Sequence, residues 1–280
     1  MAPKNQLKYL TVQGEELMKY GESLQRLEGH AVYPLGTDSF KIDHGKNYFE
    51  FFQMLGEVRY NLALHDSEVI ACAACVLVRV PDNSGKIRSA WYVCDLKVHP
   101  EFRGLRIPRK LFLQNLLRNF LSCQRGFAVS MNPASGPNPV VKFSTNLPYL
   151  SFTESAQLRF FEMSAASLQS LNRLCEPILG PLFLINTTGK KDLIQTSTGK
   201  PISILHLGWG KAAAGVAVSS LREATANNTV SEKSIYLACA CTAARHYSLF
   251  EQFGQDFGQA SILSFRMPNT DWSHLQSWQI

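Results

Sequence analysis

Val98-His99-Pro100-Glu101-Phe102-Arg103-Gly104-Leu105-Arg106-Ile107-Pro108-Arg109-Lys110-Leu111 decides how this chain is read. Upstream, Ile87 to Val98 reads as a strand. Downstream, Leu111, Leu113, Leu116, Leu117, Phe120 and Leu121 form a helical stripe behind Pro108, a residue suited to a first helical turn. The stretch therefore joins a strand to a helix through a short basic turn. Amides at a helix N-terminus point outward without partners, and the helix dipole favours negative charge there. Gly104 lets a ligand approach the backbone, Arg103, Arg106 and Arg109 add forked donors, and Lys110 adds a point charge. Such a junction is built to hold phosphate.

The charge of the whole chain agrees. Residues 1–150 carry 18 Lys and Arg against 13 Asp and Glu, whereas residues 151–280 carry 10 against 9. Between Lys97 and Arg125 seven basic residues (Lys97, Arg103, Arg106, Arg109, Lys110, Arg118, Arg125) face only Glu101, which marks an anion site. A nucleic-acid face spreads its charge among exposed aromatics, but here the charge gathers at one turn, so the pattern speaks against nucleic acid. A solvated charged face without function is the bland alternative.

With 280 residues, 45% of them hydrophobic and 18% charged, the chain can bury a generous core in one large or two small domains. No run approaches ~20 uncharged apolar residues, and the first twenty residues lack a signal-type apolar core, so a soluble cytoplasmic protein without a membrane partner is expected. Seven cysteines, mostly inside apolar runs, fit buried thiols in a reducing compartment. Cys72 and Cys75 mimic a C-x-x-C pair, yet residues three apart on a strand point to opposite faces, so no metal site is expected.

Periodicity orders the remaining elements. Lys8 to Val12 reads as a strand, Gly14 opens an amphipathic helix, His30 to Lys46 is a turn-rich connection, and Tyr48 to Phe52 is a second short helix. Glu57 to Leu64 and Val69 to Val80 form a hairpin that Ile87 to Val98 extends into an antiparallel meander. After the basic turn and its helix come a strand at Gly126–Met131, a brief helix at Val140–Leu147 and a strand at Gln157–Met163. The remainder repeats the pattern more loosely: a helix at Ala166–Leu179, a hairpin from Pro181 to Thr198, a strand at Ile202–Trp209, a helix at Ala212–Ala224, a strand at Ser234–Ala240, a helix at Ala243–Phe253 and a strand at Ala260–Met267. Two related α/β halves are expected, residues 1–156 and 157–280.

At the basic turn the chain resembles the GNAT superfamily of N-acetyltransferases, whose signature is a strand followed by V-x-P-x-x-R-G-x-G-x-G/A and a helix that binds the CoA pyrophosphate. Val98, Pro100, Arg103 and Gly104 match position by position. Arg106 stands at the second glycine and Pro108, which has no N–H to donate, at the last position. The element order over roughly residues 1–163 is similar as well. The resemblance implies a mixed α/β GNAT-like acyl-CoA N-acyltransferase fold, with acetyl-CoA or another acyl-CoA as co-substrate, no metal, and a small-molecule or peptide amine as acceptor. Leu96 and Val98 would hydrogen-bond the pantetheine through their backbones, and Arg103, Gly104, Leu105, Arg106, Ile107, Arg109 and Lys110 would hold the pyrophosphate. The thioester would lie beside Cys94 and Asp95, flanked by the loop after Met131. A weaker echo, Ala244-Arg245-His246-Tyr247-Ser248-Leu249-Phe250-Glu251-Gln252-Phe253-Gly254, is similar to the family's A-x-x-L-Y-E-x-x-G-F helix with Phe250 for tyrosine. The turn Trp209 to Gly215 lacks the arginine, so the second half reads as a degenerate copy that does not bind CoA.

Direct acyl transfer to an amine needs a base for the ammonium proton and an acid for the departing thiolate. Asp95, on the strand beside the expected thioester, and Glu57, on the hairpin, are the candidate bases; Tyr149 is the candidate acid. For each there is a structural alternative: an arginine partner for the carboxylates, packing for the tyrosine. Cys94 and His246 read as core, and His99 as a loop residue or a phosphate contact. Two other functions stay open, a non-catalytic GNAT-fold module that binds CoA or a related anion, and an acyltransferase served by acyl carrier protein, whose acidic surface would suit the arginine-rich turn.

Overall fold

The computed structural model describes residues 7–35, 38–147, 152–210, 218–221 and 234–280. Strand β1 (Lys8–Gln13) leads through a 3₁₀ turn at Gly14–Tyr20 into α1 (Gly21–Glu28). The connection read as turn-rich instead contains a hairpin, β2 (Tyr33–Leu35) and β3 (Asp38–Asp43), before α2 (Glu50–Leu55). The meander follows as expected: β4 (Glu57–His65), β5 (Glu68–Pro81) and β6 (Ile87–Val98), each antiparallel to its neighbour. Helix α3 (Ile107–Phe120), strand β7 (Gly126–Met131), helix α4 (Pro139–Thr145) and strand β8 (Thr153–Met163) complete the first run. Asn138 caps α4 by accepting from the Val140 and Val141 amides, behind which Pro139 fits the first turn.

Beyond Ser164, which caps α5 (Ala165–Leu179), come β9 (Leu182–Asn186), β10 (Asp192–Gln195), β11 (Pro201–Ile202), β12 (Ile204–Trp209), β13 (Val218–Ser220), β14 (Ile235–Cys241), α6 (Tyr247–Phe253) and β15 (Gly254–Phe265). Two expectations are corrected here. The apolar runs flanking Gly189 are strands, but they are not a hairpin: β9 pairs with β12 and β13, whereas β10 pairs with β3 and β11. Within the span read as a helix at Ala212–Ala224, residues Val218–Ser220 are extended and pair with β9, while 212–217 and 222–224 lie outside the described residues.

The main sheet has eleven strands in the order β1-β4-β5-β6-β7-β15-β8-β14-β12-β9-β13, and a second sheet of four runs β11-β10-β3-β2. Two parallel pairs, β6 with β7 and β12 with β14, sit on either side of a central antiparallel pair, β15 and β8. The last strand of the chain thus lies against β7 of the first half, and β8 lies against β14 of the second. One large core packs α1, α2, β4, β5 and β6 together with residues of β14 and β15; another covers α5, α6 and the strands of the second half. No helix among the described residues is long and apolar enough to cross a membrane.

Candidate active site

Strand β6 pairs in parallel with β7 only at Trp91↔Gly126 and Tyr92↔Phe127, after which the two strands part. At Asp95 the backbone turns left-handed (φ 53°), and the register with β5 slips by one residue between Cys72 and Ala74, a β-bulge. Its consequence can be followed in the hydrogen bonds. Trp91 N–H donates to the Arg125 carbonyl on the β7 side, whereas His99 N–H donates to the Ile70 carbonyl on the β5 side. In an uninterrupted strand these two residues, eight apart, would face the same neighbour. The extra residue at the bulge inverts the alternation, so Leu96 and Val98 present their backbone groups to the gap between β6 and β7. The Val98 carbonyl accepts from Arg103 Nε at 3.4 Å.

The basic turn leaves the open end of β6. Residues Pro100–Phe102 make one 3₁₀ turn, with His99 Nδ1 accepting from the Glu101 amide. Gly104 (φ 81°) and Arg106 (φ 57°) are both left-handed, and a Cβ at Gly104 would meet open space. For Arg106 that conformation costs roughly 1–2 kcal/mol. The amides of Gly104, Leu105, Arg106, Ile107 and Arg109 make no hydrogen bond to the described residues. A run of amides bent in this way forms an anion-binding nest at the start of α3. The side chains of Phe102 and Ile107 are buried against Ala63, Ile70, Ala71 and Leu111 and anchor the turn from below. Arg103, Arg106, Arg109 and Lys110 stand exposed around it, Lys110 over the Tyr9 ring at 5.4 Å.

Lys97 does not belong to that basic surface. It is buried, and its ammonium contacts the carboxylates of Asp95 and Glu28 and donates to Tyr48 Oη at 2.8 Å. Asp95 Oδ2 accepts from Tyr48 at 2.9 Å and from Tyr60 at 3.0 Å. Burial, the largest single influence, pushes the Asp95 carboxyl up, but Lys97, His44 and the hydrogen bonds from Lys97 and Tyr48 together outweigh it and leave it below the usual carboxylate range. Lys97 is pulled down by burial and raised well above the ordinary lysine value by Asp95 and its other neighbours. His44 stacks on Tyr48 with its Nε2 3.7 Å from Glu28, and its Nδ1 is buried without a partner among the described residues. Glu28, His44 and Asp95 bring ligand atoms within 4.8 Å of one another, and the Lys97 ammonium already contacts both carboxylates of that group.

Of the expected acid–base residues, Asp95 and Glu57 are not brought together. Asp95 borders the cavity described below, but both of its carboxylate oxygens are engaged by neighbours. Glu57 opens β4 opposite Leu77, whose partner Trp91 lies at the paired end of β6, and its half-exposed side chain bonds Arg59 at 2.8 Å. Four residues, about 13 Å of strand, separate it from Asn61, which lies beside the bulge. Tyr149 lies outside the described residues.

Between the halves lies a cavity of about 490 Å³ that sequence reasoning did not find. Cys94, Asp95 and Leu96 of the open strand border it, together with residues of β2, β3 and α2, residues of β7, α4 and β8, and Lys191, Leu193, Ile204 and His206. Burial brings Lys191 down to about 8; it lies 4.4 Å from the Phe51 ring centre and donates to the Ile280 main-chain oxygen. Burial, helped by Lys191, brings His206 to about 3 and keeps it neutral. Burial pushes the Cys94 thiol well up, so it is not a nucleophile at rest. His246 is buried between Trp209 and Phe250 and is core.

The second parallel pair is different. β12 and β14 pair over Ile204–His206, and beyond them the Trp209 N–H and C=O are both bonded by the side-chain amide of Gln276, at 3.4 and 3.1 Å. The gap that stays open in the first half is filled in the second by the segment that follows β15.

A strand pair splayed by a bulge, leading through a nest into a helix on a mixed sheet, defines the GNAT fold of N-acyltransferases, and a second parallel pair, β12 with β14, stands in the second half of this chain. A tandem GNAT protein from the clavulanic acid biosynthesis pathway is similar over 92% of this chain and 98% of its own, with a TM-score of 0.54 and 9% identity. N-myristoyltransferase of Saccharomyces cerevisiae, solved with bound myristoyl-CoA and inhibitors, is similar over 98% of this chain and 83% of its own, with a TM-score of 0.54 and 9% identity. At such identities the likeness is one of fold. No family model and no curated protein matches the sequence.

Proposed function

We propose that this chain is an acyl-CoA-dependent N-acyltransferase, in which residues 1–156 bind the CoA and residues 157–280 complete the chamber where an amine attacks the thioester. The observation that carries the reading is the set of five unbonded amides at Gly104, Leu105, Arg106, Ile107 and Arg109, ringed by four exposed cations at the open end of β6. That geometry suits a pyrophosphate, and the gap beside Leu96 and Val98 suits an extended pantetheine arm. Pro108 has no amide to offer, and the Arg106 guanidinium compensates for it. Acetyl-CoA is the first donor to test, and a small amine or a peptide N-terminus the first acceptor. Both fold neighbours named above are acyltransferase types by their descriptions, which supports a CoA-type co-substrate.

Calorimetry with acetyl-CoA and with a 3′-dephosphorylated analogue tests the reading. The doubly substituted Arg103→Ala, Arg106→Ala chain should bind acetyl-CoA at least about tenfold more weakly, roughly 1.4 kcal/mol; unchanged affinity would remove CoA from this turn. A second reading, a module that binds CoA without turnover, draws support from the engagement of Asp95 and the remoteness of Glu57. Thiol release in the presence of amines separates the two.

A further inference from the structure

If acyl transfer occurs in this chamber, its proton traffic needs groups other than Asp95 and Glu57. His206 on β12 and Lys191 just before β10 border the same cavity as Cys94 and Leu96, together with the polar side chains of Thr187, Thr188, Asp192 and Ser277. The hydrogen bonds of His206 fix its tautomer. Ser277 Oγ donates to the Leu237 carbonyl at 2.7 Å, and a carbonyl can only accept, so the hydroxyl hydrogen is committed there. The bond of 3.1 Å between Ser277 Oγ and His206 Nδ1 must then run from the ring, which places the hydrogen on Nδ1. Nε2 is left with its lone pair and with no hydrogen bond to the described residues. Lys191 uses one of its three donors on the Ile280 main-chain oxygen.

We propose that His206 Nε2 is the catalytic base and Lys191 Nζ the catalytic acid of the acyl transfer, so that the second half supplies the proton chemistry for a thioester held by the first. This rests on the acyl-CoA reading above. The acceptor nitrogen attacks the thioester carbonyl carbon; the C–N bond forms, and the nitrogen's proton passes to His206 Nε2. The C–S bond breaks with its electron pair going to sulfur, and the thiolate takes a proton from the Lys191 ammonium. The imidazolium returns its proton to the neutral Lys191 amine, and both groups are reset. Amine and acyl-CoA become amide and CoA thiol, with no other reactant.

At rest His206 is neutral, its imidazole held down to about 3 by burial and by the Lys191 ammonium, and Lys191, at about 8, is still mostly an ammonium at neutral pH. Loss of the Lys191 proton removes the second of those causes and makes the imidazole a stronger base. The charged or titratable groups that face Lys191 are Cys94, Asp95, Lys97 and Glu28, and Lys191 in turn faces His206. Asp95, Lys97 and Glu28 are tied to one another, whereas Lys191 contacts no carboxylate side chain among the described residues and bonds the Ile280 main-chain oxygen.

The test measures thiol release from acetyl-CoA with 2-phenylethylamine and with a glycine-initiated peptide, together with acetyl-CoA calorimetry on the same preparations. His206→Gln, which keeps a polar side chain beside Ser277, and Lys191→Met should each lower kcat by at least about 100-fold, the contribution usual for one proton-transfer group. Acetyl-CoA affinity should stay within about twofold, less than ~0.5 kcal/mol. In the native chain kcat should fall above a pH of about 8, and the residual rate of Lys191→Met should lack that basic limb, an effect no packing role would produce. Native rates in the variants, or a basic limb that persists in Lys191→Met, overturn the assignment. A native chain that binds acetyl-CoA but releases no thiol with either acceptor overturns it too and leaves the CoA site standing; a native chain that binds no acetyl-CoA overturns both.

Discussion

Lys97 shows how a single residue can be read wrongly from charge and correctly from context. In sequence it opens the basic run; in the fold it is nearly inaccessible and is held between Asp95 and Glu28. Buried ion pairs add little when whole, because desolvation offsets their attraction, but breaking one strands a charge and costs ~3–5 kcal/mol. Lys97→Met should therefore lower unfolding free energy by about that much in urea titrations, and pairing it with Asp95→Asn should restore part of the loss. The pH dependence has a definite sign. The Asp95 carboxyl is depressed in the fold, so its stabilisation is present above the ordinary value near ~4 and is lost as pH falls through its lower folded value. Asp95→Asn should flatten that acid limb of stability, and a limb of unchanged slope would assign the acid loss to other carboxylates. Lys97 is raised, so its share holds below the ordinary lysine value and declines only in strong alkali.

At the scale of elements, what could be read locally was read well. The meander, the basic turn, α3 and α5 declare themselves through alternation, a helical stripe and caps, all of which act within a few residues. The hairpin β2–β3 did not, because Tyr33-Pro34-Leu35 is short and contains a proline, and because β3 finds its partner β10 some 150 residues away. Likewise the runs on either side of Gly189 gave two strands but not their partners, since periodicity reports extension and not pairing. These missed pairings form one wall of the cavity, which is why Lys191 and His206 stayed hidden while the nest was legible. The turn after β3 carries the consequence. Gly45 is left-handed (φ 64°), and a Cβ built there would fall 1.9 Å from the Gly189 carbonyl oxygen, backbone that cannot swing aside. Gly45→Ala should then push β3 from the β9–β10 turn and cost on the order of 1–3 kcal/mol. Chemical denaturation measures it; a neutral effect would mean the two turns are not in contact.

For the whole molecule, the decisive arrangement is the exchange at the centre of the large sheet. β15, the last strand, fills the place beside β7, and β8, which contains the division at residue 156, binds β14. Neither half has a complete sheet of its own, so residues 1–156 expressed alone should fail to fold, and the full chain should unfold in one transition by fluorescence and circular dichroism alike. The same arrangement sets how many acyl-CoA molecules one chain can take. Each half has a splayed parallel pair, and in each the strand past the pairing has backbone groups facing the gap. In the first half Leu96 and Val98 face the gap beside a nest of free amides, with the Arg103 side chain on the Val98 carbonyl; in the second Gln276 bonds both polar groups of Trp209, and Ser277 bonds the Leu237 carbonyl. A side-chain amide there takes the donor and acceptor that a pantetheine amide would need, and Trp278 Nε1 holds that amide at 2.8 Å. Calorimetry of the full chain should accordingly give one acetyl-CoA per chain, and Arg103→Ala with Arg106→Ala should weaken that single site without revealing a second. Gln276→Ala should leave the stoichiometry at one while lowering stability by ~1–3 kcal/mol, because two buried backbone groups lose their partner. Two sites per chain in the native protein would show that the segment after β15 is displaced when acyl-CoA is present, and that the second gap is a working site.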